Sequence, residues 1–172
     1  MPDRSITFHA LYEQYAEAVY RFAYWLSGNP DDARDITSET FVRVWTAPEE
    51  PRTETVKAYL FTIARNLHRR QWRRQSRQVA LDEVIQERPE DTPSPAQAAV
   101  HQEDLACALA AIQKLPELDR TVLLLRAKGE LSYEEIATTT GLSAGAAKLR
   151  VFRARAKLMS LLKPTPELRS RS

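Results

Sequence analysis

The sequence predicts an all-α protein made of two small helical domains joined by an acidic flexible linker, the second domain containing a helix-turn-helix. Three observations carry this. Only four glycines occur in 172 residues, and no run shows sustained strand alternation. Apolar residues recur instead at spacings of three and four, the signature of helices with one buried stripe. A stretch holding Pro89, Pro93 and Pro95 with Thr92 and Ser94 interrupts that periodicity, and its composition is that of a tether. The expected division is therefore a first domain over residues 1–78, a linker over 79–103 and a second domain over 104–172.

The elements follow in order. Phe8, Leu11, Tyr12, Tyr15, Val19, Phe22 and Leu26 form the stripe of a first helix that ends at Gly28, a residue suited to the left-handed turn after a helix. Asn29-Pro30-Asp31-Asp32 reads as a turn followed by an acidic helix start, and Ala33, Ile36, Phe41, Val44 and Trp45 supply the apolar side of a second helix closed by Pro48 and Pro51. A third helix begins near Thr55 and carries Leu60, Ile63, Ala64 and Leu67 on one side. Beyond the linker, Leu105, Leu109, Ile112 and Leu115 resume the pattern, with Cys107 read as a small buried hydrophobe among them. Pro116 opens the next helix, which holds Val122, Leu123 and Leu125. Ser132 with Glu135 forms a capping box before Ile136, Gly141 ends that short helix, and Ser143 caps a last helix reaching about Leu162.

Composition bounds the function. With 43% hydrophobic and 28% charged residues, the chain is neither a disordered tail nor a membrane span. Met1 to Ser5 lead into amphipathic sequence without an apolar signal segment, so a cytoplasmic location is expected. His9, His68 and His101 are scattered, no glycine-rich phosphate loop is present, and no Cys or His pair has ligand spacing. No catalytic residue, metal ligand or cofactor is therefore assigned, and the chain reads as a non-enzyme.

Charge is distributed unevenly. Thr55 to Leu81 holds seven bases and no acid, Ser143 to Lys163 holds six bases and no acid, and between them Ala80 to Asp104 holds seven acids against Arg88. Two basic surfaces separated by an acidic tether point to a polyanion touched at two places, because clustered cations on a phosphate backbone release counterions. The alternative is two solvated helix faces.

Helical geometry sharpens the reading. At 100° per residue, Val151, Ala154, Leu158, Leu161 and Leu162 fall within roughly 60° of Ala147 and form a core stripe. Lys148, Leu149, Phe152 and Arg153 point elsewhere. Cations there suit guanine acceptors or phosphates, and Leu149 and Phe152 suit thymine methyls. Phe152 has a second reading, packed beneath the preceding helices. On the third helix Arg65, Asn66, Arg69, Arg70, Trp72, Arg73 and Arg77 occupy the arc opposite Leu60 and Leu67. An aromatic among arginines suits bases that are partly unstacked, although a tryptophan there also serves to cap a helical core.

These residues resemble a known family. Leu11-Tyr12-Glu13-Gln14-Tyr15, Asp32 to Phe41 and Tyr59 to Leu67 followed by Arg73-Arg74 resemble region 2 of extracytoplasmic-function sigma factors. Leu115 to Arg120, Leu131 to Ala137 and Phe152 to Arg155 resemble region 4. The resemblance implies a promoter-reading subunit with several partners: the RNA polymerase core through its β′ clamp helices and β flap, promoter DNA, and an anti-sigma factor. It implies no membrane insertion and a monomer when free. Asp35, Glu39 and Thr40 would contact polymerase. Arg65, Asn66, Arg69, Arg70, Trp72, Arg73 and Arg77 would act at the −10 element, and Lys148, Leu149, Phe152, Arg153 and Arg155 at the −35 element. The acidic segment Asp82 to Asp91 would thread through the polymerase's nucleic-acid channels. The sequence departs from the family pattern at Ser38, Arg70, Gln71 and Leu149, so promoter preference does not carry over. Two rival functions use the same motifs: a stand-alone helix-turn-helix regulator, and a sigma-like decoy for an anti-sigma factor.

Overall fold

A computed structural model describes residues 7–47, 56–81 and 99–163; Pro48, Pro51 and Thr55, the acidic segment Asp82 to Asp91, the prolines Pro89, Pro93 and Pro95, and both termini lie outside them. Among the described residues all regular structure is helical: α1 (Phe8–Ser27), α2 (Pro30–Thr46), α3 (Val56–Leu81), α4 (Ala99–Gln113), α5 (Glu117–Ala127), α6 (Tyr133–Thr140) and α7 (Ala144–Leu162).

Local chemistry sets most of the helix ends. The Thr7 hydroxyl accepts from the Ala10 amide at the start of α1. Gly28 ends the helix in the left-handed region at φ 71°, where its amide donates to the Tyr24 carbonyl at 2.8 Å. One residue later the Asn29 side chain accepts from the amides of Asp31 and Asp32, and Pro30 starts α2 where a missing N–H costs nothing. A two-residue link thus folds α1 against α2. The third helix closes the first half through Leu60, Phe61, Ala64 and Leu67, with Phe61 edge-on to Phe22 at 4.9 Å between ring centroids.

In the second half, Ser132 and Glu135 form the reciprocal capping box, Gly141 takes φ 79°, and the Ser143 side chain caps α7. Pro116 serves as the residue before α5 and not as its first residue. Ala147 and Val151 seat α7 on the same core as Ile136 and Leu125.

That core is continuous across both halves. Val19, Phe22 and Leu26 of α1 and Leu60 and Phe61 of α3 share one buried cluster with Ile112, Val122, Leu124, Leu131 and Ile136. Helices α4 and α5 pack on α1, and α6 packs on α3. The sequence pattern gives two lobes, and the structure docks them into one body.

Several stripe positions lie outside that core. Leu161 and Leu162 are 39% and 43% exposed, because α7 continues past its partners while its periodicity persists. Cys107 and Leu105 are exposed for the same reason at the other end: only the C-terminal part of the α4 stripe, Ala111 and Ile112, is covered. Trp45 is also largely solvent-facing, with Phe8 packed edge-on against its ring at 4.7 Å. Helix α3 reaches Leu81 and α4 is already helical at Ala99, so helical structure extends into both ends of the 79–103 segment.

Candidate nucleic-acid and polymerase interfaces

The outer face of α7 is the most open of three candidate surfaces. Lys148, Leu149, Phe152, Arg153 and Arg155 are all exposed, Phe152 at 70%. Phe152 therefore does not pack beneath the preceding helices. Lys148, Leu149, Phe152 and Arg155 line a shallow groove of about 300 Å³ with Tyr133 and Gly145, and Arg153 stands outside it. Lys148, Arg153 and Arg155 have no ion-pair partner among the described residues. Arg150, counted in the same basic block, behaves differently: its guanidinium donates to the Asp119 carboxylate at 2.9 Å and ties α7 to α5. An apolar ring flanked by cations on a helix-turn-helix has the chemistry that base edges and phosphates require.

The cationic face of α3 is more divided. Asn66, Arg70, Trp72, Arg73 and Arg77 are exposed and Arg69 is half-buried. Trp72 is 57% exposed and so does not cap the core. Arg65 turns inward instead. It is 6% exposed, and its guanidinium donates to the main-chain carbonyl of Thr139 in α6 at 3.4 Å. Burial lowers its pKa, with Glu117 opposing the shift and Arg69 adding to it, yet a guanidinium stays charged in a protein. His68, one turn further, is buried too. Its pKa falls from 6.5 to about 4, chiefly through desolvation and then through Arg120, with Glu117 opposing and Arg65 adding.

The third surface belongs to α2. Asp35 and Glu39 are exposed, and Glu39 pairs with Arg43 at 3.4 Å. Thr40 is fully buried and its hydroxyl donates to the Ile36 carbonyl at 2.6 Å, so it faces the core and not the outer face. Between α2 and α3 a groove of about 490 Å³ brings Asp35, Ser38 and Glu39 opposite Arg70 and Arg74. Beside it, Phe8, Tyr12, Phe41 and Val42 line an apolar groove of about 340 Å³ that continues toward exposed Trp45. Phe8, Tyr12, Phe41 and Trp45 belong to the apolar stripes of the sequence, whereas Val42 lies off them; periodicity places a residue on a face without saying what covers it.

The order of these surfaces along the chain has a counterpart among known proteins. Residues 11–78 match Sigma-70 region 2, and residues 105–158 match Sigma-70, region 4. The chain is 35% identical over 147 residues to the ECF RNA polymerase sigma factor EcfG of Rhodopseudomonas palustris, a match covering 82% of this chain and 77% of that protein. This chain belongs to the ECF sigma factors. It is also 38% identical over 155 residues to the sigma factor SigE of Mycolicibacterium smegmatis, covering 88% of this chain and 60% of that relative, which is the longer protein. Among solved structures, it resembles the sigma factor RpoE bound to the anti-sigma factor NepR from Bartonella quintana, with a TM-score of 0.74 and 28% identity over 90% of this chain and 96% of that one. CnrH in complex with the cytosolic domain of CnrY gives a TM-score of 0.67 at 28% identity, over 90% of this chain and 86% of that one. Both likenesses extend across the two halves of this sigma factor. No helix among its described residues is long and apolar enough to cross a membrane.

Proposed function

We propose that this chain directs promoter-specific transcription initiation as a sigma subunit of RNA polymerase, working in the cytoplasm. The observation that carries the reading is the pairing, in one chain, of an unobstructed base-reading face on α7 with a second cationic face on α3 that bears an exposed tryptophan. A stand-alone regulator needs the first and has no use for the second.

Labour divides by surface. Asp35 and Glu39 on α2 meet the β′ clamp helices of the core enzyme, with the apolar groove beside them adding buried area, while Thr40 holds the helix in place from within. Asn66, Arg69, Arg70, Trp72, Arg73 and Arg77 hold the −10 element once it opens, and Arg65 joins them only when α6 withdraws. Lys148, Leu149, Phe152, Arg153 and Arg155 read the −35 duplex, with the β flap behind this half. The work is binding work: capture of unpaired bases offsets an unstacking cost of a few kcal/mol per base. An anti-sigma factor is the natural antagonist, since RpoE is solved with such a partner.

Core polymerase mixed with the purified chain should yield specific run-off transcripts whose start sites share −10 and −35 sequences. A chain that binds promoter duplex alone and gives no transcript with core enzyme is a regulator of another kind. A chain that gives neither transcript nor duplex binding is a decoy.

A further inference from the structure

The outer pole of α7 is apolar where a solvated helix is polar. Leu149 and Phe152 lie about 200° and 140° round the helix from Ala147, on either side of the point opposite the buried stripe. They are 49% and 70% exposed. Lys148 stands at about 100° and Arg153 at about 240°, so a cation flanks the apolar pair on each side. The rotation of the helix is fixed from behind: Ala147, Val151 and Ala154 are buried, and Arg150 is held by Asp119 at 2.9 Å. The first turn, Ala144 to Ala147, carries no side chain longer than a methyl group, and a Cβ added at Gly145 meets nothing within 4 Å. In a helix-turn-helix that turn approaches the base edges, so Lys148 and Leu149 are the first long side chains to reach them.

What the helix lacks narrows what it can read. From Ala144 to Leu162 there is no carboxylate and no carboxamide. It therefore has no such group to accept from the amino group of cytosine, or to bracket adenine with a paired donor and acceptor. Apart from Tyr133, the polar side chains lining the groove are the donors Lys148 and Arg155, which suit guanine acceptors and phosphates. The remaining feature of the major groove is the 5-methyl group of thymine, and carbon is what Leu149 and Phe152 offer it. Leu149 is also a position at which the chain departs from the family pattern.

We propose that Leu149, backed by Phe152, makes −35 recognition by this protein depend on thymine 5-methyl groups in the major groove. The inference rests on the sigma reading and deepens it, by naming the chemical feature that α7 discriminates. Each methyl seated against the pair leaves water, and one buried carbon changes affinity about four-fold.

The test uses the full chain with core polymerase on a promoter located by run-off transcription. Each −35 thymine on either strand is replaced in turn by deoxyuridine, which lacks only the 5-methyl group, and binding is followed by fluorescence anisotropy at fixed salt. One or two of these replacements should weaken binding about three- to five-fold. Leu149→Ser should bind the thymine and deoxyuridine templates alike, whereas Leu149→Met, which keeps an apolar tip, should retain the difference. Lys148→Ala should weaken binding to both templates by one factor. At the sensitive step, 5-methylcytosine should bind more tightly than cytosine, again about four-fold. Unchanged affinity with deoxyuridine at every −35 thymine, no gain from 5-methylcytosine, or full methyl dependence in Leu149→Ser overturns the proposal. A parent chain that gives no transcript with core enzyme overturns the sigma reading instead.

Discussion

Helices α3 and α7 carry the two basic blocks of the sequence, yet the fold treats them differently. On α7 every expected reading residue stands in solvent, and the one inward cation of that block, Arg150, is neutralised by Asp119. On α3 the arc is interrupted: Arg65 and His68 turn under the neighbouring half, while Arg70, Trp72, Arg73 and Arg77 stay free. Charge density alone does not mark a binding face, because the same arginine reads DNA or holds a domain according to what is packed beside it.

The largest test of that contrast is the shared core. Phe22 belongs to α1 but lies in the cluster that holds Val122 and Ile136. Phe22→Ala should cost about 3–5 kcal/mol in chemical denaturation and lower the protection of α5 and α6 amides along with those of α1. If only the first half loosened, the halves would be energetically separate and α3 would be no more encumbered than α7.

Acid should act on α3 and leave α7 alone. His68 is neutral in the folded chain, with its pKa pushed from 6.5 to about 4, and it is faced by Arg65 of its own helix and by Glu117 and Arg120 of α5. The contribution of the neutral ring is complete above pH 6.5 and is lost as pH falls toward 4, about 3 kcal/mol in all at 1.36 kcal/mol per unit. Fluorescence transfer between dyes on the two halves should drop over that window, and His68→Gln should flatten the profile. A wild-type profile already flat from pH 7 to 4 would refute the assignment.

Substitutions on the reading faces come next. Arg153→Ala should weaken −35 duplex binding by about 1–3 kcal/mol, measured by fluorescence anisotropy at fixed salt. Smallest of all, Arg65→Ala should change open-promoter formation less than Arg73→Ala does, because Arg65 begins the cycle engaged with Thr139. Equal effects from both would place Arg65 on the DNA face throughout.

Much of this was legible in the residues. Asn29, Ser132 with Glu135, Gly141 and Ser143 act locally, so their caps could be read without knowledge of the fold. The helical wheel separated Phe152 from Val151 correctly because rotation about an axis is a local property. What it could not supply is whether anything lies opposite a stripe. Leu161, Leu162 and Cys107 keep the apolar period and meet solvent, whereas Thr40 and Arg65 look outward by chemical type and are buried. The grip of Arg120 on Leu26 joins positions 94 apart, and no short-range signal in the sequence encodes such a pairing.

The acceptors at the end of α1 have a consequence for how this protein tolerates change. Trp25 and Leu26 offer backbone oxygens, and those remain whatever side chains mutation places at the two positions. The hydrogen-bond acceptors of this contact thus survive substitution, and the hydrogen bonds themselves depend on the donors Gln113 and Arg120. Substituting Gln113 or Arg120 would therefore loosen the contact while leaving the end of α1 unaltered.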